Sequence, residues 1–147
     1  MIMKFALSGV LAVVLAAAPG VLAPAHAADS PKLVGTWKPA GDDQASVRFG
    51  TANEHYPKQE NAAFGNPAHR WTVVVDTQEG RAFHGHSLSP QGSKVPMVGV
   101  VRHDGRHLVI ATATGEVQGE FVGDKLELCW VDHLPGRASV SCELYAK

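Results

Sequence analysis

VGVVRHDGRHLVIATATGEVQGEFVGDKLELCWVDHL, residues 98–134, is the stretch that decides the fold. Short runs rich in Val, Leu, Ile and Phe recur between turn residues, and no apolar stripe at helical spacing is sustained. Asp104-Gly105 joins residues 98–103 to residues 106–110, and Asp-Gly is the strongest two-residue hairpin signal, because a type I′ turn needs positive φ at both places. Gly123-Asp124 marks the next hairpin, while Gln78-Glu79-Gly80 and Pro135-Gly136 mark two further reversals. Strands joined this closely pair with their neighbours in sequence, so the stretch is a meander.

Working outward, the same pattern predicts strands over 33–38, 45–50, 70–77, 81–88, 97–103, 106–113, 116–122, 125–132 and 139–146. Residues 50–67, with Asn53, Pro57, Asn61, Gly65, Asn66 and Pro67, read as one long loop, and residues 88–96 as a second. With no helix to cover an open sheet, the expected fold is all-β: an antiparallel up-and-down meander of 8–9 strands closed into a small barrel. A β-sandwich is the alternative.

The strand faces conflict near the C-terminal part of this pattern. A turn at Gly123-Asp124 pairs Phe121 with Leu126, Gly119 with Leu128 and Val117 with Trp130 on one apolar face, which leaves Cys129 pointing outward with Gln118, Glu120 and Glu127. A turn at Pro135-Gly136 sets Cys129 opposite Cys142, on a face shared with Val140 and Leu144, whose character suggests core. A register slip, a bulge or a sheet covered on both faces would each reconcile the two hairpins. If the cysteine face is interior, Glu127 is a buried carboxylate and a candidate ligand contact.

Lys4 precedes an apolar run over residues 5–18 that is broken by Pro19 and Gly20, and Ala25-His26-Ala27 offers a cleavage site. Residues 1–27 are therefore expected to be a cleavable secretory signal and residues 28–147 a single domain, periplasmic or secreted. The run is short for a bilayer and no later segment approaches spanning length, so membrane insertion of the mature chain is not expected. The chain carries 13 Lys and Arg against 14 Asp and Glu, a net charge of −1. Loss of Lys4 takes that to −2, and the remaining cations are scattered, which argues against nucleic acid. Two cysteines in an exported chain predict a Cys129–Cys142 bridge, and two are too few for a tetrathiolate zinc site.

At the first strand, Gly35-Thr36-Trp37 resembles the opening of the lipocalins and avidins, the calycin group of up-and-down β-barrels. The resemblance implies that Trp37 packs across one end of the barrel. The Thr-Asp-Tyr motif of lipocalins is absent, residues 139–147 lack the arginine expected over that tryptophan, and residues 38–43 lack the Asn and Ser that first contact biotin in avidins. Biotin binding is accordingly not implied.

Candidate chemistry is sparse. His84 and His86, in Phe83-His84-Gly85-His86, share one strand face at i and i+2, where they suit zinc or copper if His69, His103 or His107 supplies a third ligand. There is no Gly-x-Ser-x-Gly and no His-Glu-x-x-His, so no enzyme activity is expected. The reading is a non-enzymatic binding protein that takes a small, mostly apolar ligand at the barrel mouth. Trp71 and Phe83 are its candidate contacts, His84 and His86 its polar ones, Trp37 and Trp130 structural residues, and residues 50–67 a lid. The alternatives are a protein-binding module, either an exported inhibitor or an envelope assembly factor, and a periplasmic metal-binding protein using the histidines.

Overall fold

The computed structural model describes residues 30–52, 57–65 and 70–147, without the side chain of Asp43. The expected signal and its cleavage site, with Asn53, Asn66, Pro67 and His69, lie outside the described residues. Nine strands form one antiparallel sheet: β1 (Gly35–Gly50), β2 (Gln59–Phe64), β3 (Thr72–Glu79), β4 (Ala82–Leu88), β5 (Lys94–Val101), β6 (His107–Thr112), β7 (Gly115–Val122), β8 (Lys125–Leu134) and β9 (Arg137–Ala146). From β3 onward each strand pairs with the next, and β9 returns to pair with β1, which closes an eight-stranded barrel. The ninth strand, β2, is added outside the closed ring on the last residues of β1, where Val47 pairs with Phe64.

Three expectations are corrected. The two strands at 33–38 and 45–50 are one, β1, whose pairing with β9 is irregular between Pro39 and Gln44. Residues 50–67 are not one loop, because they contain β2, a polar strand that reads as loop since neither of its faces lines the core. The second loop shrinks to residues 89–93, held by the Ser89 hydroxyl accepting from the Ser93 amide at 3.0 Å. Pro96 sits within β5, opposite His86, in the part of β5 that β6 does not reach, so its missing N–H costs no ladder bond on that side.

The turns follow their residues. Val122 pairs with Lys125 across Gly123-Asp124, and Gly123 alone has positive φ, at 65°, which is the type II′ pattern. The Asp104-Gly105 connection is wider than a two-residue turn: β5 ends at Val101 and β6 begins at His107. Only Gly105 has positive φ there, because the Asp104 side chain shapes the loop by accepting from the Arg106 and His107 amides, each at 2.9 Å. Those two backbone donors, with the His107 ring, hold the Asp104 carboxyl below the usual carboxylate range.

The core is the apolar inward face of the ring. Leu33, Trp37, Val73, Val75, Phe83, Met97, Val101, Leu108, Ile110, Val117, Leu126, Leu128 and Tyr145 form one buried cluster, with Phe121 and Trp130 packed against it. Neighbours lean over the inward glycines: a Cβ at Gly99 would lie 2.4 Å from Phe83 Cζ, and one at Gly119 would lie 2.5 Å from a Leu108 methyl. This half of the barrel is filled by side chains, as eight-stranded barrels allow.

The end carrying Trp37 is also sealed. Trp37 donates its indole N–H to the Leu33 carbonyl at 2.8 Å and meets Phe121 edge-on with ring centroids 6.4 Å apart. The Lys147 ammonium lies 5.4 Å from the Trp37 ring centroid and donates to the Lys32 carbonyl at 3.1 Å. A lysine thus takes the cationic place over the ring for which the sequence offers no arginine.

Candidate functional site

The two ends of the barrel differ in chemistry. At the Trp37 end the inward residues are apolar. At the other, the loop end, β1 and β9 change character. Cross-strand partners share a face, so the pairs Gln44–Glu143, Ser46–Ser141 and Arg48–Ser139 line the lumen with the buried Glu143. The apolar residues of the same strands, Val47, Val140 and Leu144 among them, point outward. This resolves the facing conflict without a slip, bulge or second cover: both hairpin registers hold, Cys129 and Cys142 form an outward-facing disulfide, and Ser139 and Ser141, on either side of Val140, are inside. A bridged pair belongs to an oxidising compartment. Glu127 is on the outside, opposite Glu120 and Leu144.

Within the lumen Glu143 accepts a hydrogen bond from Arg70 Nε, and Arg70 Nη2 forms an ion pair with the same carboxylate oxygen. Glu143 is 3% exposed, and this counter-charge offsets the cost of taking its carboxylate out of water. Asp42, on the surface, lies 3.8 Å from the same guanidinium. Burial pushes the Tyr145 phenol well above its ordinary value and the Glu143 carboxylate adds to the effect, while Trp130 and Arg70 act the other way. Tyr145 therefore keeps its proton. Gln44 Oε1 is buried and accepts no hydrogen bond from the described residues. Nearer the rim, Asp132 accepts from the Thr114 hydroxyl at 2.9 Å. A hollow of about 30 Å³ opens there between Arg48, Asp132, Arg137 and Gln59, with room for little more than water.

The structure separates the residues singled out from the sequence. Phe83 points inward and fills the sealed half against Gly99, whereas His84 and His86 alternate with it and face outward. These three side chains do not converge. Trp71 is half-buried just before β3 at the loop end, and Trp130 faces the lumen opposite Ser141 and Val117. His86 Nδ1 lies 3.0 Å from Asp76 Oδ2, and no group of three His, Cys, Asp or Glu among the described residues is arranged to hold a metal. His107 lies between Asp104, at 2.9 Å, and Glu120, at 3.6 Å, on the outside of the Trp37 end. No helix among the described residues is long and apolar enough to cross a membrane.

Sequence reasoning missed Arg70, Gln44 and Glu143. The usable signal was the run Ser139-Val140-Ser141-Cys142-Glu143, whose alternation is clean but whose polar half faces inward. Only the identity of the buried face, which the whole ring sets, assigns it. No protein-family model matches the chain, and no curated protein and no solved structure is significantly similar to it.

Proposed function

We propose that this is an exported, non-enzymatic binding protein whose barrel receives a small, mostly apolar ligand at the loop end. The apolar body rests against Trp71 and Trp130, and a hydrogen-bond donor on the ligand reaches Gln44. The observation that carries the reading is the polar lining of an otherwise apolar barrel, with a buried acceptor left open beside a carboxylate already taken by Arg70. Burying such an acceptor costs about 1–3 kcal/mol unless a partner arrives. The likeness of Gly35-Thr36-Trp37 to the opening of calycin barrels, and the place of Trp37 across the sealed end, support a barrel open on one side only.

Native mass spectrometry of the purified protein with a panel of small aromatic alcohols and amides tests this. A stoichiometric adduct is expected, weakened at least tenfold by Gln44→Leu and by Trp130→Ala and unchanged by the double substitution His84→Ala with His86→Ala. No adduct at millimolar ligand, or an adduct indifferent to Gln44 and Trp130, would end the proposal.

A further inference from the structure

The polar lumen of the loop end has a counterpart outside. On β1 and β9 the outward positions are apolar over three successive rows, and on β8 over two of them, the third ending in His133. One row runs Phe64, Val47, Val140, Val131 across four strands from β2 to β8. The rows beside it hold Phe49 with Ala138, and Ala45 with the Cys142–Cys129 bridge. Phe64 is 81% exposed, Phe49 55% and Val140 42%. No Asp, Glu, Lys or Arg stands among these positions.

A second exposed strip, Val98, Val100 and Val109 on β5 and β6, has a plainer origin. There the inward residues are apolar as well, and outward valines are what strand propensity supplies. The face on β1, β9 and β8 is different because the alternation is inverted, and propensity gives no reason to turn serine, arginine and glutamate inward while valine and phenylalanine meet water.

We propose that this inverted face is the contact surface for a second copy of the chain. The nine apolar positions named, at about 4.8 Å by 6.8 Å each, cover roughly 300 Å² in plan. That is more than half of the roughly 500 Å² of apolar area that one side of a standard homodimer interface contributes. Because the face holds no Asp, Glu, Lys or Arg, it meets its own image across a two-fold axis without repulsion between fixed like charges, the condition a self-complementary contact must satisfy. The added strand β2 extends the face beyond the closed ring and presents its most exposed side chain, Phe64.

The test is sedimentation equilibrium of the purified protein from one to several hundred micromolar, alone and with phosphatidylglycerol–phosphatidylethanolamine vesicles. The expected result is a two-chain mass at tens of micromolar, reduced to a one-chain mass by Val140→Glu with unchanged far-ultraviolet circular dichroism. Phe64→Glu, at a position too exposed to endanger folding, should do the same, and Val98→Glu should leave the dimer intact. A one-chain mass at every concentration overturns the proposal. So does a dimer that survives both Val140→Glu and Phe64→Glu, or a single chain that sediments only with the vesicles, which would assign the face to a lipid surface.

Discussion

Replacing Gly99 by alanine asks directly whether the Trp37 half of the barrel is solid. The new Cβ would stand 2.4 Å from Phe83 Cζ, 2.8 Å from Cε2 and 3.0 Å from Cε1, so it would meet the end of the ring head-on. Ordinary carbon contacts lie near 3.5–4.0 Å, so the ring must retreat by about 1 Å. Phe83 is 6% exposed and belongs to the buried apolar cluster, so a retreating ring presses on its neighbours. Overpacking of this kind costs about 1–3 kcal/mol. Removing a glycine from a position that alanine can adopt returns about 0.4–1 kcal/mol through the unfolded chain. The expected net loss is therefore about 1–2 kcal/mol, or about 3–4 °C in Tm for each kcal/mol in a domain of this size. Urea denaturation followed by tryptophan fluorescence and circular dichroism measures it, with an unchanged m value as the check on the denatured state. Combining Gly99→Ala with Phe83→Leu should recover about 1 kcal/mol relative to the sum of the single changes. A Gly99→Ala protein at least as stable as the parent, with an additive cycle, would show that the ring does not occupy that space and that this half is hollow.

Three further outcomes follow from other contacts. Arg70→Met should cost about 2–3 kcal/mol at neutral pH, because it leaves Glu143 buried without its counter-charge, and adding Glu143→Gln should recover at least about 1 kcal/mol in chemical denaturation. Replacing Cys129 and Cys142 together by serine should cost roughly 3 kcal/mol, since the cysteines stand 13 positions apart, and reduction of the parent protein by dithiothreitol should give a matching loss. Asp104 is held ionised in the fold by its two amide donors, so its contribution is present above the ordinary carboxylate range and lost only as the pH falls through its lowered folded value. The stability difference between the parent and Asp104→Ala should accordingly be largest near neutrality and shrink in acid, and a carboxyl-detected NMR titration should find Asp104 the last carboxylate to protonate.

Much of this fold is legible in the chain because its pairings are local. Gly123-Asp124 fixes the β7–β8 register to the residue, and every pair expected from it, including Val117 with Trp130, is present. Cys129 opposite Cys142 was likewise readable from Pro135-Gly136. What failed was the equation of apolar with inside. It holds where the lumen is apolar, as at Phe83 and Leu128, and it inverts on β9, where Glu143 is buried and Val140 is exposed. The strand β2 was invisible for a related reason: outside the ring, it needs no apolar face. The shared face of His84 and His86 was correctly implied by their spacing, but which face it was depended on Phe83 and Gly85 being required inside.

The closure of β1 onto β9 sets the order in which the molecule assembles. From β3 to β9 each pairing joins segments a few residues apart, whereas the ring shuts only when Lys38 finds Ala146 at the far side of the sequence. Loop-closure entropy makes such distant contacts the slow ones. The meander is expected to zip up first, with the zipper of hairpins waiting on the long-range pairings of β1 with β3 and β9. Substitutions in the β5–β6 hairpin, already formed when those pairings close, should therefore slow refolding and leave the unfolding rate little changed.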